Sequence, residues 1–470
     1  MNVEQPTTGN SPSFLHAALC FSGLVLILAV GLFILVVDLH SLLFISLIWS
    51  GLNAWLLDNP FHQIRQMMTS AVSRAMPAIY IFILIGMVIA SFIKSGTIAS
   101  LIYYGLDLLS PTFFLPVGLM LCSLMSVATG TSWGTAGTLG VVFIGVGEAM
   151  GIPLPLVAGM IVAGATFGDK LSPISDTTNL AAMSAGTSLY RHIGSMLYTT
   201  VPSFLIMLLI LIALSQAFNT GTLAVDGLAT LQQALAATFR LSPMITLLPL
   251  VTMLVLSVRR APPEVTMTAS ILVACLIAVF YQNVNISTML NALWLNTPGT
   301  TGIASLDDLL GRGGIGSMAW TLLLALMALA LGGILHQSGF LTRLLAGVLS
   351  RVKRVSALIA ATICSGVIGN MAMGEAYISI ILNCQLFRPE YESRKLDAAL
   401  LSRSVEEGST LTTGLIPWTT AGAFYAATLG VPVLDYAPYA FFNYLNGIVA
   451  VAMASLGLGL LQSGSVVEHK

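Results

Sequence analysis

Charge is what this sequence has least of. Its 470 residues include 18 Lys and Arg and 19 Asp and Glu, so only 8% are charged, where an ordinary globular domain carries roughly 25%. A water-facing surface cannot be tiled with so few. With 56% hydrophobic residues, the composition excludes a soluble enzyme, a disordered chain and a nucleic-acid binder with a basic face. Cysteine is scarce too. Cys20, Cys122, Cys275, Cys364 and Cys384 stand in or beside apolar runs and form no CxxC pair, which points to buried small hydrophobes rather than a disulfide framework or metal cluster. No GxxxxGK(S/T) phosphate loop is present, so direct drive by ATP is not expected. HExxH, a TVGYG-like filter and an Arg-rich voltage sensor are missing as well, which argues against a zinc-dependent membrane enzyme and a channel. No cofactor is expected.

What is present is long apolar runs. A membrane-spanning helix needs about 20 apolar residues. Ten stretches are candidates: 14–37, 41–57, 76–93, 153–190, 196–216, 241–258, 265–281, 317–335, 398–430 and 437–462. The first is too long for a signal-peptide core. Two further stretches, 113–150 and 355–387, break near the middle, at Ala-Thr-Gly-Thr-Ser-Trp-Gly 128–134 and at Gly-Asn-Met-Ala-Met-Gly 369–374. Each half reads as too short to cross, so a hairpin that enters and leaves on one side is expected. Such backbone is tolerated only where it packs in protein or lines a cavity. The fold class is an all-α polytopic membrane protein with about ten transmembrane helices and two re-entrant hairpins.

The halves of the chain look alike. Ile-Lys-Ser-Gly-Thr-Ile at 93–98 resembles Leu-His-Gln-Ser-Gly-Phe at 335–340, and the break at Gly130 matches the break at Gly369. The expected organisation is a tail 1–13, a first repeat 14–216, an external connecting loop 217–240, a second repeat 241–462 and a tail 463–470. Corresponding spans lie five crossings apart, an odd number, so the repeats are inverted. Inverted repeats with broken helices are the sequence signature of secondary transporters. On this map thirteen of the 18 Lys and Arg fall on one side, and only Lys94, Arg240 and Arg312 on the other. The positive-inside rule puts both termini in the cytoplasm.

The chemistry sits in two overlong spans. The first, 153–190, contains Gly-Asp-Lys-Leu-Ser-Pro-Ile-Ser-Asp-Thr-Thr-Asn at 168–179. Pro173 removes a donor in mid-span, so the helix should unwind near 169–177. Free carbonyls there, with Asp169, Asp176, Ser172, Thr177 and Asn179, form an oxygen set suited to a small hard cation. A carboxylate at this depth costs roughly 2.5–3.5 kcal/mol to insert, so it implies a use. Lys170 could pair with Asp169, which ranks Asp176 first. The second overlong span, 398–430, repeats the design with Glu406, Glu407, Thr410 and Thr413 ahead of Pro417. One glutamate is expected to line the cavity and the other to pair with Arg403. Asp176 and Glu407 are the candidate Na+ ligands. Thr129, Thr131, Ser132, Asn370 and Glu375 at the hairpin breaks could complete the site. The six histidines are scattered at span ends and loops and are expected to be interface residues.

These residues carry a resemblance. Gly-Thr-Ser-Trp-Gly-Thr at 130–135, Gly-Asp-Lys-Leu-Ser-Pro-Ile-Ser-Asp-Thr-Thr-Asn-Leu-Ala at 168–181, and Glu-Glu-Gly-Ser-Thr with Ile-Pro-Trp at 406–418 resemble the NhaC family of Na+/H+ antiporters, within the ion-transporter superfamily. The resemblance covers nearly the whole chain. It implies a scaffold domain and a transport domain moving as an elevator in the cell membrane, often in a homodimer, with Na+, H+ and the lipid bilayer as partners. Two positions depart from the family pattern. Gly374-Glu375-Ala376-Tyr377 stands where Gly-Asp-Gln-Tyr is usual, and Pro417-Trp418 is followed by Thr419 rather than Asn. Na+/H+ exchange is therefore the leading expectation. The alternative is coupled transport or exchange of a small organic acid or amino acid, which relatives of the family carry out.

Overall fold

The computed structural model describes residues 10–108, 111–217, 225–259, 261–303, 306–307, 310–349 and 352–461. They form helices and short turns, with no β-strand among the described residues. Seven helices are long and apolar enough to cross a membrane, or up to ten if each bent pair is one span. The set differs from the one expected. It includes the first arms of both hairpins, Pro111–Thr129 and Val355–Met373, each 19 residues long. At 1.5 Å per residue such an arm reaches about 28 Å. The expectation that each half is too short to cross is thus corrected for the first arms: the polar residues at the breaks continue the helix instead of ending it early. The second turn shifts accordingly. It lies at Gly374–Glu375, not at Gly369–Asn370, because Gly374 is the residue with φ of +67°.

The segments read as loops also carry helices. Phe61–Arg74 precedes the span Met76–Lys94, and Val225–Thr238 occupies most of the expected connecting loop. Ile286–Trp294 lies between the fifth and sixth long helices. These elements are amphipathic or short, so a search for long apolar runs passes over them.

Local construction recurs between the halves. After Met76–Lys94 the chain turns at Ser95–Gly96 into Thr97–Leu108, and after Ala319–Gln337 it turns at Ser338–Gly339 into Phe340–Leu349. Gly96 and Gly339 both have φ of +77°, a region open to glycine at little cost. Both overlong spans are broken. The first is Leu154–Leu171 and Asp176–Ala185, the second Ala398–Thr413 and Thr420–Leu429. In each half the helix before the break crosses the first hairpin arm at a glycine. A Cβ on Gly168 would lie 2.3 Å from the Ser123 carbonyl oxygen, and one on Gly408 would lie 2.2 Å from that of Ile363. Backbones can approach this closely only where a side chain is missing. The crossings bring the breaks into the protein interior.

Candidate functional site

The first break spans residues 172–175, narrower than expected. Asp169 and Lys170 remain in the last turn of Leu154–Leu171, while Asp176 and Thr177 begin the next helix. Ser175 caps that helix through Thr178 N–H at 3.4 Å. Pro173 cannot supply a donor to the preceding turn. Ile174 N–H, which would bond the Lys170 carbonyl in a continuing helix, faces Ser172 Oγ at 3.4 Å instead. The Thr178 hydroxyl lies 3.3 Å from the Asp169 carbonyl and 3.2 Å from that of Lys170.

The two aspartates part company here. Asp169 is buried, and Ser132 on the first hairpin donates to its Oδ2 at 2.8 Å. Asp176 is exposed in the first turn of its helix, where the helix dipole favours an acid. Lys170 does not pair with Asp169. Neighbours in a helix point about 100° apart, and Lys170, fully buried, donates to Asn446 Oδ1 at 2.9 Å. Ser172 donates to Val127 O at 2.8 Å and Asn179 to Ser175 O at 2.8 Å. Thr177 lies 3.2 Å from Ser175. These three hold the break in shape.

At the second break, 414–419, the Thr419 hydroxyl donates to the carbonyls of Thr413 and Ile416 at 2.5 and 2.9 Å. The two glutamates before it are fully buried and face different partners. Glu407 accepts a hydrogen bond from the Thr199 hydroxyl at 2.5 Å and lies 3.9 Å from Arg403 Nε. Arg403 spends its other nitrogens on the carbonyls of Ser195 and Gly459, each at 3.1 Å. Glu406 reaches across to the first break, accepting from Thr178 at 3.2 Å. Its other oxygen faces His192 Nε2 at 2.6 Å, and His192 Nδ1 faces Ser402 at 2.7 Å.

His192 therefore corrects the reading of the histidines as interface residues. It is fully buried on Leu189–Ala217. A sequence signal existed: His192, Ser195, Thr199 and Ser203 recur every three or four residues on a largely apolar helix, which marks one polar stripe. Thr410 and Thr413 follow Glu406 at i+4 and i+7 and share its face. Their hydroxyls, Glu407 Oε2 and Asn370 Oδ1 are buried without a hydrogen-bond partner among the described residues.

The hairpin tips dock on the breaks. Gly130 has φ of +70°, and a Cβ there would lie 2.5 Å from the Ile174 side chain. Thr131 caps the returning arm through Gly134 N–H at 3.2 Å, and Thr129 bonds back to Met125 O at 2.9 Å. Of this tip only Ser132 touches an acid. At the second tip Glu375 accepts from the N–H groups of Tyr377 and Ile378 at 2.6 and 3.3 Å, so it caps its own helix. Asn370 donates to Ser409 O at 2.6 Å. The tip is latched to the second break by Thr420 N–H on Gly374 O and by Trp418 Nε1 on Met371 O, both at 2.8 Å. Across the halves, Trp133 stacks on Phe424 with ring centroids 4.6 Å apart. Asp169, Ser132, Thr178 and Glu406 thus come from four elements to the region between the breaks. No group of three His, Cys, Asp or Glu able to hold a metal occurs among the described residues. The oxygen set here is one of hydroxyls, carbonyls and single carboxylates.

The chain matches the model of a family described as the Na+/H+ antiporter family, over residues 13–178 and 164–458. It is 35% identical over 445 residues to the Na(+)/H(+) antiporter NhaC of Alkalihalophilus pseudofirmus, covering 94% of this chain and 96% of that one. It is 34% identical over 421 residues to the NhaC of Bacillus subtilis, covering 89% and 93%. It is also 32% identical over 412 residues to the malate-2H(+)/Na(+)-lactate antiporter of Bacillus subtilis, covering 88% and 87%.

Proposed function

The chain belongs to the Na+/H+ antiporter family, and from that membership we propose that it exchanges Na+ for H+ across the cell membrane by alternating access. Asp169 supplies the charge that holds Na+, with Ser132, the break carbonyls and the hydroxyls of Thr410 and Thr413 as neutral ligands. Protonation of Asp169 releases the cation, and Na+ displaces the proton on the opposite side. Asp176, exposed at the edge of the break, with Thr177 beside it, gathers cations at the mouth. Glu407 balances Arg403. Ser172, Asn179, Thr129, Thr131, Asn370 and Glu375 hold the breaks and tips that frame the path.

One observation carries the choice of a cation over an organic anion. Arg403, buried at the second break, is paired with Glu407 and donates to two carbonyls, and Lys170 at the first donates to the Asn446 amide oxygen. An anionic substrate would need one of them free, since a buried unpaired charge is strongly disfavoured. The recurring Ser-Gly turns, hairpin tips, breaks and glycine crossings support an inverted-repeat architecture. With it go cytoplasmic termini, an elevator motion and a homodimer.

Purified protein in proteoliposomes tests this reading. A Na+ gradient should drive proton movement reported by a pH dye, and malate or lactate gradients should not. Transport of either acid, with no response to Na+ alone, would reverse the assignment. Cysteine labelling of residues 282–285 from outside the cell tests the topology. Labelling from the cytoplasm alone would sink the inverted repeat.

A further inference from the structure

Ser402 Oγ lies 3.1 Å from the Ala399 carbonyl and 2.7 Å from His192 Nδ1, so it holds one edge of the imidazole. Nε2 then faces Glu406 Oε2 at 2.6 Å, and two acceptors this close require one proton between them. The bond matters because both residues are fully buried, where a polar group left without its partner is costly.

The consequence runs through Thr178. Its single hydroxyl proton has three acceptors in reach: Glu406 Oε1 and Lys170 O at 3.2 Å, and Asp169 O at 3.3 Å. If Glu406 takes it, the two carbonyls at the end of Leu154–Leu171 keep lone pairs for another partner. Helix-terminal carbonyls have no intrahelical donor of their own. Ile174 N–H is turned away to Ser172, and Asp169 O already accepts from Ser172 N–H at 3.1 Å.

We propose that His192 is a positioning residue for the cation site. It anchors Glu406 as a clamp on Thr178, and through Thr178 it leaves the Asp169 and Lys170 carbonyl oxygens free to coordinate Na+. Glu406 in this arrangement holds the site's shape and is not itself a ligand. The inference rests on the exchange reading above.

The experiment uses the full-length protein in proteoliposomes with Na+ as the probe. His192→Ala should raise the KM for Na+ about tenfold or more, the effect of losing one buried hydrogen bond to a charged group. The maximal rate should change less than KM. His192→Gln, whose amide N–H can reach Glu406 Oε2, should return KM to within about threefold of the wild type. An unchanged KM in His192→Ala overturns the proposal. So does a loss confined to the maximal rate, or a His192→Gln variant no better than His192→Ala.

A wild-type protein that ignores Na+ would defeat the exchange reading separately. The pair is then read without transport, by thermal unfolding of His192→Gln, Glu406→Gln and the double variant in detergent. Coupled residues give non-additive shifts, and additive ones overturn the proposal. The same cycle serves if His192→Ala does not fold.

Discussion

Asp169→Asn tests the assignment of the cation's charge directly. The substitution keeps the shape of the side chain, and Ser132, now 2.8 Å from Oδ2, can still donate to an amide oxygen. A hydrogen bond to a charged acceptor becomes one between neutral groups, which costs about 1 kcal/mol. Removing a buried charge offsets part of that. The variant should therefore fold and insert. Its effect on Na+ is far larger. Two unit charges 4 Å apart attract by about 4 kcal/mol at an effective dielectric near 20. Losing that attraction is worth about a thousandfold in affinity. Na+-driven proton movement in proteoliposomes should vanish at Na+ concentrations that saturate the wild type. Asp176→Asn is the matched control. An exposed acid at a helix N-terminus contributes only about 0.3–1 kcal/mol, so its KM should rise less than tenfold. If Asp169→Asn exchanges Na+ for H+ with a KM within tenfold of the wild type, the charge that holds Na+ is not Asp169. If Asp176→Asn is the variant that fails, the ranking by burial is wrong.

Other expectations follow from single contacts. Glu375→Ala removes the cap of Ala376–Ser393 and should cost about 1 kcal/mol, read as a lower unfolding temperature that Glu375→Asp largely restores. Gly408→Ala places a Cβ 2.2 Å from the Ile363 carbonyl oxygen, and overpacking of this kind should cost about 1–3 kcal/mol or block insertion. A Gly408→Ala protein as stable as the wild type would refute the crossing. The contacts between Asp307 and residues 301–302 give a pH expectation. Asp307 accepts from Thr301 N–H at 2.6 Å, from its hydroxyl at 2.7 Å and from Gly302 N–H at 3.1 Å, and the Thr301 backbone bond comes first in holding its carboxyl below the ordinary carboxylate range. A depressed carboxyl stabilises above its unfolded value and loses that contribution as pH falls through the folded one. Protection of Thr301 and Gly302 against hydrogen exchange, taken relative to the intrinsic rate at each pH, should therefore hold at neutral pH and fall only in acid below the usual carboxylate range.

The sequence by itself determined the class of molecule, the two broken spans and most of the residues that hold them. It could do so because each of these is a local property. A charge content of 8% forbids a water-facing surface wherever the chain folds. Pro173 and Pro417 break a helix through their own missing N–H groups. Gly130 and the Ser-Gly pairs turn the chain through their own backbone freedom. The tertiary structure alone decided which polar groups meet. Asp169 and Asp176 stand seven residues apart with the same chemistry, yet packing buries one against Ser132 and leaves the other exposed. Lys170 and Asp169 are neighbours in sequence, but helix geometry points them at different partners, Asn446 and Ser132. His192 and Glu406 are separated by 214 positions, and no spacing rule links them. Their 2.6 Å contact exists because Leu189–Ala217 packs against Ala398–Thr413. Sidedness along a helix can be read from periodicity, but the identity of the residue waiting on the neighbouring helix is fixed only when the helices pack.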